Sequence, residues 1–187
     1  MDGPEAAIAI WNPDGSLAEM SGNGTRIAAR WLADRTAVAE VTVRVGARLT
    51  RARVFGDRVE QELGRVAVGP KEVVEDIELT PVSVGNPHAV VDGDPAEIGR
   101  IGPLLERHSH FPQGTNVQVA RVDAPGRVAA RVWERGVGET TASGTSAVAV
   151  AVALGQEAAQ VRFPGGVLEV RFDGSRALVV GPAERRE

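Results

Sequence analysis

The chain has 187 residues, 43% of them apolar and 25% charged, with a formal net charge of −4. That balance suits a globular protein with a sizeable core, excludes disorder as the default, and leaves no basic stripe of the kind nucleic acid requires. Cysteine is absent, which removes disulfides, cysteine-ligated zinc and thiolate catalysis together.

The start, "MDGPEAAIAIW", has no cationic flank followed by a hydrophobic run, and no segment reaches the ~18 apolar residues of a membrane span. A cytoplasmic protein with no membrane partner is expected. "AAIAIW" at 6–11 reads as a strand. A helix is expected over 22–33, with Ile27, Ala28, Trp31 and Leu32 on its apolar side and Arg26 and Arg30 elsewhere. Short alternating or β-branched runs follow at 41–45, 49–55, 58–63 and 77–84, split by Gly or Asp turns. Strands at 89–92, 115–122, 127–133, 159–163, 167–172 and 177–181 make a second set. Pro164-Gly165-Gly166 and Asp173-Gly174 turn the last three into two successive hairpins. Between these strands a helix is expected over 95–106, with Pro95 in its first turn after Asp94. The Ala/Val run at 144–154 fits a strand or a helix by period alone. Its length and alanine content favour a buried helix. The order of strands and helices predicts an α+β architecture of two halves, each wrapping antiparallel strands around a helix.

Chemistry concentrates in the loops. "SGNGT" at 21–25 and "SGTS" at 143–146 each open a helix, where free N–H groups and the positive end of the macrodipole attract anions. Plain capping by Ser21 and Ser143 is the alternative for either loop alone. "WNPDGS" has the makeup of a tight turn around Asn12. "VGNPHAVV" sets Asn86 and His88 between apolar runs, where they need partners. Asn116 begins a strand. Glu134 and Arg135 are adjacent at a strand end and point to opposite faces if the strand persists. His108 and His110 lack a third ligand at metal spacing, so no metal is expected.

Four stretches, "IWNPDGSLAEMSGNGTR", "GNPHAVV", "FPQGTNVQVA" and "VWERGVGETTASGTSA", together resemble the diaminopimelate epimerase family over residues 6 to 182. Racemases of proline and hydroxyproline share the fold without the "GNPH" and "ERGxGET" combination. The resemblance implies two pseudo-symmetric domains, each a central helix wrapped by a mostly antiparallel sheet, with the site between them. It places one domain at 1–80, joined by the final strand at 176–187, and the other at 81–175. It implies a homodimer, diaminopimelate as small-molecule substrate, no pyridoxal or other cofactor, and a place in lysine and peptidoglycan-precursor biosynthesis. Asn12, Asn86 and Asn116 match substrate-contacting amides, and Glu134 and Arg135 match the pair that grips the reacting amino-acid end. Gly22, Asn23, Gly144 and Thr145 match backbone donors to the α-carboxylate, with His88 near the acid–base pair. The family's two proton-transfer cysteines correspond to Ser21 and Ser143, and an alcohol is a far weaker acid than a thiol. Low activity is therefore expected, and the alternatives are a silent homologue that binds an amino acid or an isomerase of another amino acid. Family members also carry residues ahead of the "NPDGS" region, so the first domain is expected to be truncated, leaving Trp31 and edge strands for another chain to cover.

Overall fold

The computed structural model describes residues 3–11, 15, 17 and 21–183. The first half begins with β1 (Glu5–Ile8) and α1 (Gly22–Thr36) and continues through β2 (Glu40–Val45), β3 (Arg48–Phe55) and β4 (Arg58–Arg65). Next come β5 (Ala67–Val68), β6 (Glu72–Val74), β7 (Ile77–Ser83) and β8 (Pro87–Asp92). A 3-10 turn (Pro95–Glu97) leads into α2 (Ile98–Glu106), then β9 (Asn116–Ala124), β10 (Arg127–Glu134), β11 (Gly138–Thr140) and α3 (Gly144–Ala153). The chain closes with β12 (Ala158–Phe163), β13 (Gly166–Asp173) and β14 (Arg176–Pro182). This is an α+β fold.

The strands follow one path, β1-β2-β3-β4-β14-β13-β12-β10-β9-β8-β7-β5. Most pairs are antiparallel; β1/β2, β8/β9 and β10/β12 are parallel. β14 joins the halves by pairing antiparallel to β13 on one side and to β4 on the other, from Arg176↔Arg65 to Pro182↔Arg58. The last pairing of the first half ends at Arg65, and β5 already pairs with β7. The crossing between halves thus lies at 65–67. Positions 80–81 lie within β7, which pairs with β5, β6 and β8.

α3 lies in the middle of the second half. Ala147 through Ala151 are fully buried against Val82, Val90, Val132, Val161, Leu168 and Val179, which explains why the segment is apolar on every side. β8 and β9 are covered on both faces. Val90 and Ala120 meet the α3 core, while Ala89, Val91, Val117 and Val119 meet Ile98, Ile101 and Leu105 of α2. A third core gathers Ala29, Leu32 and Ala33 of α1 with Val41, Val43, Ala52 and Val59.

The buried side of α1 differs from the expected one. Thr25, Arg26, Ala29, Leu32 and Ala33 face inward, whereas Ile27 and Trp31 are 65% and 53% exposed, Trp31 with the Arg35 guanidinium 5.1 Å from its ring. Thr25, Ala29, Leu32 and Ala33 form an i, i+4, i+7, i+8 stripe of small or aliphatic residues that fits closely over the sheet. Packing of small side chains outweighed the bulk of Ile27 and Trp31.

The halves also touch through their helix starts. A methyl group on Gly22 would lie 2.9 Å from the Cα of Gly144 and 3.2 Å from the nitrogen of Thr145, so the two first turns are in backbone contact. Alanine at Gly22 is therefore expected to destabilise by roughly 1–3 kcal/mol through overpacking, despite alanine's better helix propensity. Gly99 of α2 has open space around it, and Gly99→Ala is expected to add about 0.5–1 kcal/mol. Urea denaturation of both variants checks the pair; a Gly22→Ala protein as stable as the parent contradicts the contact.

Candidate functional site

The two serines occupy equivalent backbone positions and do different things. Each is an extended N-cap, Ser21 at φ −137°, ψ 115° and Ser143 at φ −146°, ψ 130°. Ser21 Oγ accepts from Gly24 N at 3.0 Å and caps α1. Ser143 makes no such bond; its Oγ lies 3.5 Å from Thr145 Oγ1, and it is one of two hydroxyls beside the Glu134 carboxylate. The capping alternative thus describes Ser21 and not Ser143. Among the described residues, the N–H groups of Gly22, Asn23, Gly144 and Thr145 have no acceptor, so four donors and two positive helix ends converge on one place.

Side chains hold the helix starts together. Asn23 Nδ2 donates to Ala142 O at 2.9 Å, and its Oδ1 accepts from Arg26 Nη2 at 2.8 Å. Gln61, fully buried on β4, donates to Gly22 O at 2.8 Å and accepts from Thr25 Oγ1 at 2.9 Å.

Glu134 ends β10, and the Thr140 hydroxyl donates to it. Burial pushes its carboxyl above the ordinary range, against the pull of the Thr140 and Ser143 hydrogen bonds. Arg135 points elsewhere, donating to Gln113 O at 3.1 Å. The turn carrying both is anchored on consecutive amides. Arg135 N donates to Asn116 Oδ1 at 3.0 Å, and Gly136 N to Glu106 Oε1 at 2.7 Å. Asn116 Nδ2 reaches Pro87 O at 2.8 Å, so this amide ties the turn to the "GNPH" segment. Glu106 also accepts from Trp133 Nε1 at 2.8 Å.

His88, 2% exposed, has both ring nitrogens engaged: Nε2 meets Asn86 Oδ1 at 2.9 Å and Nδ1 meets Gln118 Nε2 at 3.0 Å. Gln118 Nε2 also donates to Ser146 Oγ of α3 at 3.0 Å. This places the neutral ring's proton on Nε2. Burial, assisted by the Arg135 charge and opposed by the Gln118 hydrogen bond, lowers the His88 pKa to about 3. An open groove beside it is lined by Gly85, Asn86, Pro87, Phe111, Gln113 and Thr115. Gly85, at φ 88°, leaves room for the Arg48 guanidinium, which donates to Val84 O at 3.0 Å and to Leu63 O and pins this loop to the first half.

Of the expected site residues, Gly22, Asn23, Ser143, Gly144 and Thr145 come together at the helix starts with Ser21, and Glu134 joins Ser143. Asn86 and His88 form one pair, and Asn116 links it to Arg135. Asn12 lies outside the described residues. Gln118, Glu106, Gln61 and Arg48 were missed. Gln118 had a signal: it shares a strand face with Asn116, an inward polar pair in an apolar strand. His108 and His110 pair with Glu75 and Glu72, each at 3.0 Å, and among the described residues no group of three or more His, Asp or Glu could hold a metal. No described helix is long and apolar enough to cross a membrane.

The depressed His88 pKa makes a pH prediction. The unfolded histidine titrates near 6.5 and the folded one near 3, so its contribution to stability is intact above pH 6.5. It is lost as pH falls toward 3, because only the unfolded chain takes up the proton, at a slope of up to roughly 1.4 kcal/mol per pH unit. His88→Gln is expected to flatten stability between these limits in urea titrations; an unchanged slope rules out the buried neutral ring.

The family model described as diaminopimelate epimerase matches residues 80–185. A diaminopimelate epimerase of Desulforudis audaxviator is 43% identical over 94% of this chain and 75% of its own length. One from Xanthomonas euvesicatoria is 38% identical over 97% and 75%. Among solved structures, a hydroxyproline epimerase from Agrobacterium vitis superposes with TM-score 0.73 at 17% identity, covering 94% of this chain and 67% of that one. A phenazine biosynthesis protein of the PhzF family from Enterococcus faecalis gives 0.69 at 12%, covering 98% and 77%. At such identities these two show the fold. The extended match to the curated relatives, over the same loops that meet at the helix starts, shows that the chain belongs to the diaminopimelate epimerase family.

Proposed function

We propose that the protein is a diaminopimelate epimerase-like enzyme that holds the α-carboxylate of LL- or meso-diaminopimelate at the touching starts of α1 and α3. The observation that carries this reading is the convergence of four free N–H groups between two N-cap hydroxyls, one from each half. Inverting an α-carbon needs a base on one face and an acid on the other, together with stabilisation of the carbanion-like transition state. Two helix ends directed at the carboxylate supply that stabilisation. In the proposed mechanism Ser21 and Ser143 stand on opposite sides of the α-carbon. One oxygen accepts the α-proton and the other hydroxyl delivers one to the opposite face. Glu134, whose carboxyl burial makes more basic, lies beside the Ser143 hydroxyl and is assigned as the group that takes its proton and so raises that oxygen's basicity. His88 is assigned to the acid–base surroundings as a neutral hydrogen-bonding group, with Asn86 and Asn12 as substrate-contacting amides; Arg135, which points away from Glu134, is reassigned from the reacting amino-acid end to the substrate's far end. Asn116 acts there by anchoring the Arg135 turn. We assign the protein to the cytoplasm and infer a homodimer, to which the exposed Ile27 and Trp31 of α1 lend an apolar surface.

The hydroxyls favour a second reading, in which the cleft binds the amino acid without turning it over, because an alcohol ionises far less readily than a thiol. The experiment is deuterium incorporation at the α-carbon in heavy water, with calorimetric binding alongside. The parent is expected to bind and exchange slowly, and Ser21→Cys/Ser143→Cys to exchange at least about 10²–10⁴-fold faster. Binding by the parent with exchange only in the cysteine form establishes the second reading. Neither binding nor exchange in either protein overturns both.

A further inference from the structure

Arg26 is 7% exposed, and the sequence alone placed it on the outer side of α1. Its side chain crosses from the first turns of α1 to the final strand. Nε donates to Pro182 O at 3.1 Å and Nη2 to Asn23 Oδ1 at 2.8 Å. Nη1 is buried without a hydrogen-bond partner. A methyl on Gly144 would come within 3.5 Å of that atom, so Nη1 lies directly behind the contact between the two helix starts. A methyl on Gly181 would lie 3.3 Å from Cζ and Nε, so the guanidinium lies flat against a glycine in β14. Among the described residues no carboxylate pairs with Arg26, and burial lowers its pKa.

This arrangement is electrostatically unfavourable as it stands. A buried guanidinium without a counter-charge costs several kcal/mol, and two helix N-termini each add about half a positive charge beside it. Its two acceptors are neutral oxygens that a neutral amide could serve. The full charge acquires a purpose when an anion sits in front of the free N–H groups.

We propose that Arg26 is a positioning residue for the anionic group of the ligand, its buried charge, packed behind the Gly22–Gly144 contact, setting the site's demand for a carboxylate. The inference rests on the reading that the substrate's α-carboxylate occupies the helix starts. It goes beyond that reading by making binding depend on a side chain that does not touch the ligand. A unit charge several ångströms behind a carboxylate, at an effective dielectric near 20, corresponds to about 10- to 100-fold in affinity.

The test compares the parent with Arg26→Lys, which keeps the charge, and Arg26→Gln, which keeps donors and loses it. Affinity for meso-diaminopimelate is measured by calorimetry, and melting temperature with and without it. The lysine variant is expected to bind within about threefold of the parent. The glutamine variant should lose about 10- to 100-fold while melting, ligand-free, at or above the parent's temperature. A purely structural role predicts the reverse, with both variants melting lower and binding following foldedness rather than charge. Glutamine binding as well as the parent, or a folded lysine variant losing tenfold or more, overturns the proposal. If the parent binds no diaminopimelate, the functional reading fails and acetate against chloride at equal ionic strength decides. Acetate stabilising the parent and lysine variant but not the glutamine variant supports Arg26, and acetate stabilising none of them, or all three alike, overturns it.

Discussion

The backbone contact between Gly22 and Gly144 is the constraint on which the rest of the site depends. Two helix N-termini repel one another, and their free N–H groups do not bond to each other, so the contact has to be held from outside. Asn23 reaches across to Ala142 O, and Gln61 takes the Gly22 carbonyl from β4. Behind them β14 pairs with both β4 and β13, making the two halves one sheet. The contact leaves little room: a methyl group on Gly22 would lie 2.9 Å from the Gly144 Cα and force the first turns apart.

Much of this was legible from the order of residues. Ser21 and Ser143 could be read as helix starts because a hydroxyl followed by glycine precedes an apolar run. The hairpin at Asp173-Gly174 could be read from its turn residues, and Gly174 takes φ 56°. What could not be read were contacts between segments far apart in sequence. Arg26 is expected away from the apolar side of α1, and its burial depends on acceptors that helix period does not show, Asn23 Oδ1 and Pro182 O, the second 156 positions away. Ile27 and Trp31 were assigned inward for their bulk, but the sheet beneath α1 accepts a smaller stripe. β5 and β6, with two and three residues, exist because β7 offers them an edge. Nothing local distinguishes them from loop.

The serines show how identical local chemistry diverges under tertiary context. Both residues have extended N-cap geometry, yet Ser21 satisfies Gly24 N while Ser143 leaves its helix uncapped, beside Thr145 Oγ1 and the Glu134 carboxylate. A capping hydroxyl uses a lone pair on the backbone and keeps its proton free to donate. One that donates to a carboxylate instead has its proton directed at a base and its lone pairs free. In the proposed mechanism the two oxygens would enter proton transfer unequally, with the activating group on the Ser143 side. A serine in that role depends on Glu134 far more than a thiol would, because its own acidity is so much lower.

Unequal support extends to the surroundings. The second half holds its polar groups in a linked network, His88 with Asn86 and Gln118, Gln118 with Ser146, Asn116 with Pro87 and the Arg135 turn, with Gln118 Oε1 left buried and unpartnered. Each bond is buried or partly buried, where a lost partner costs more than the bond itself contributes. The first half reaches the site mainly through the start of α1, and it rests on Gln61, Asn23 and the uncompensated charge of Arg26. An anion between the helix starts would be shared by elements from both halves. Its binding energy would then act as a tie between them, complementing the β4–β14 pairing on the far side.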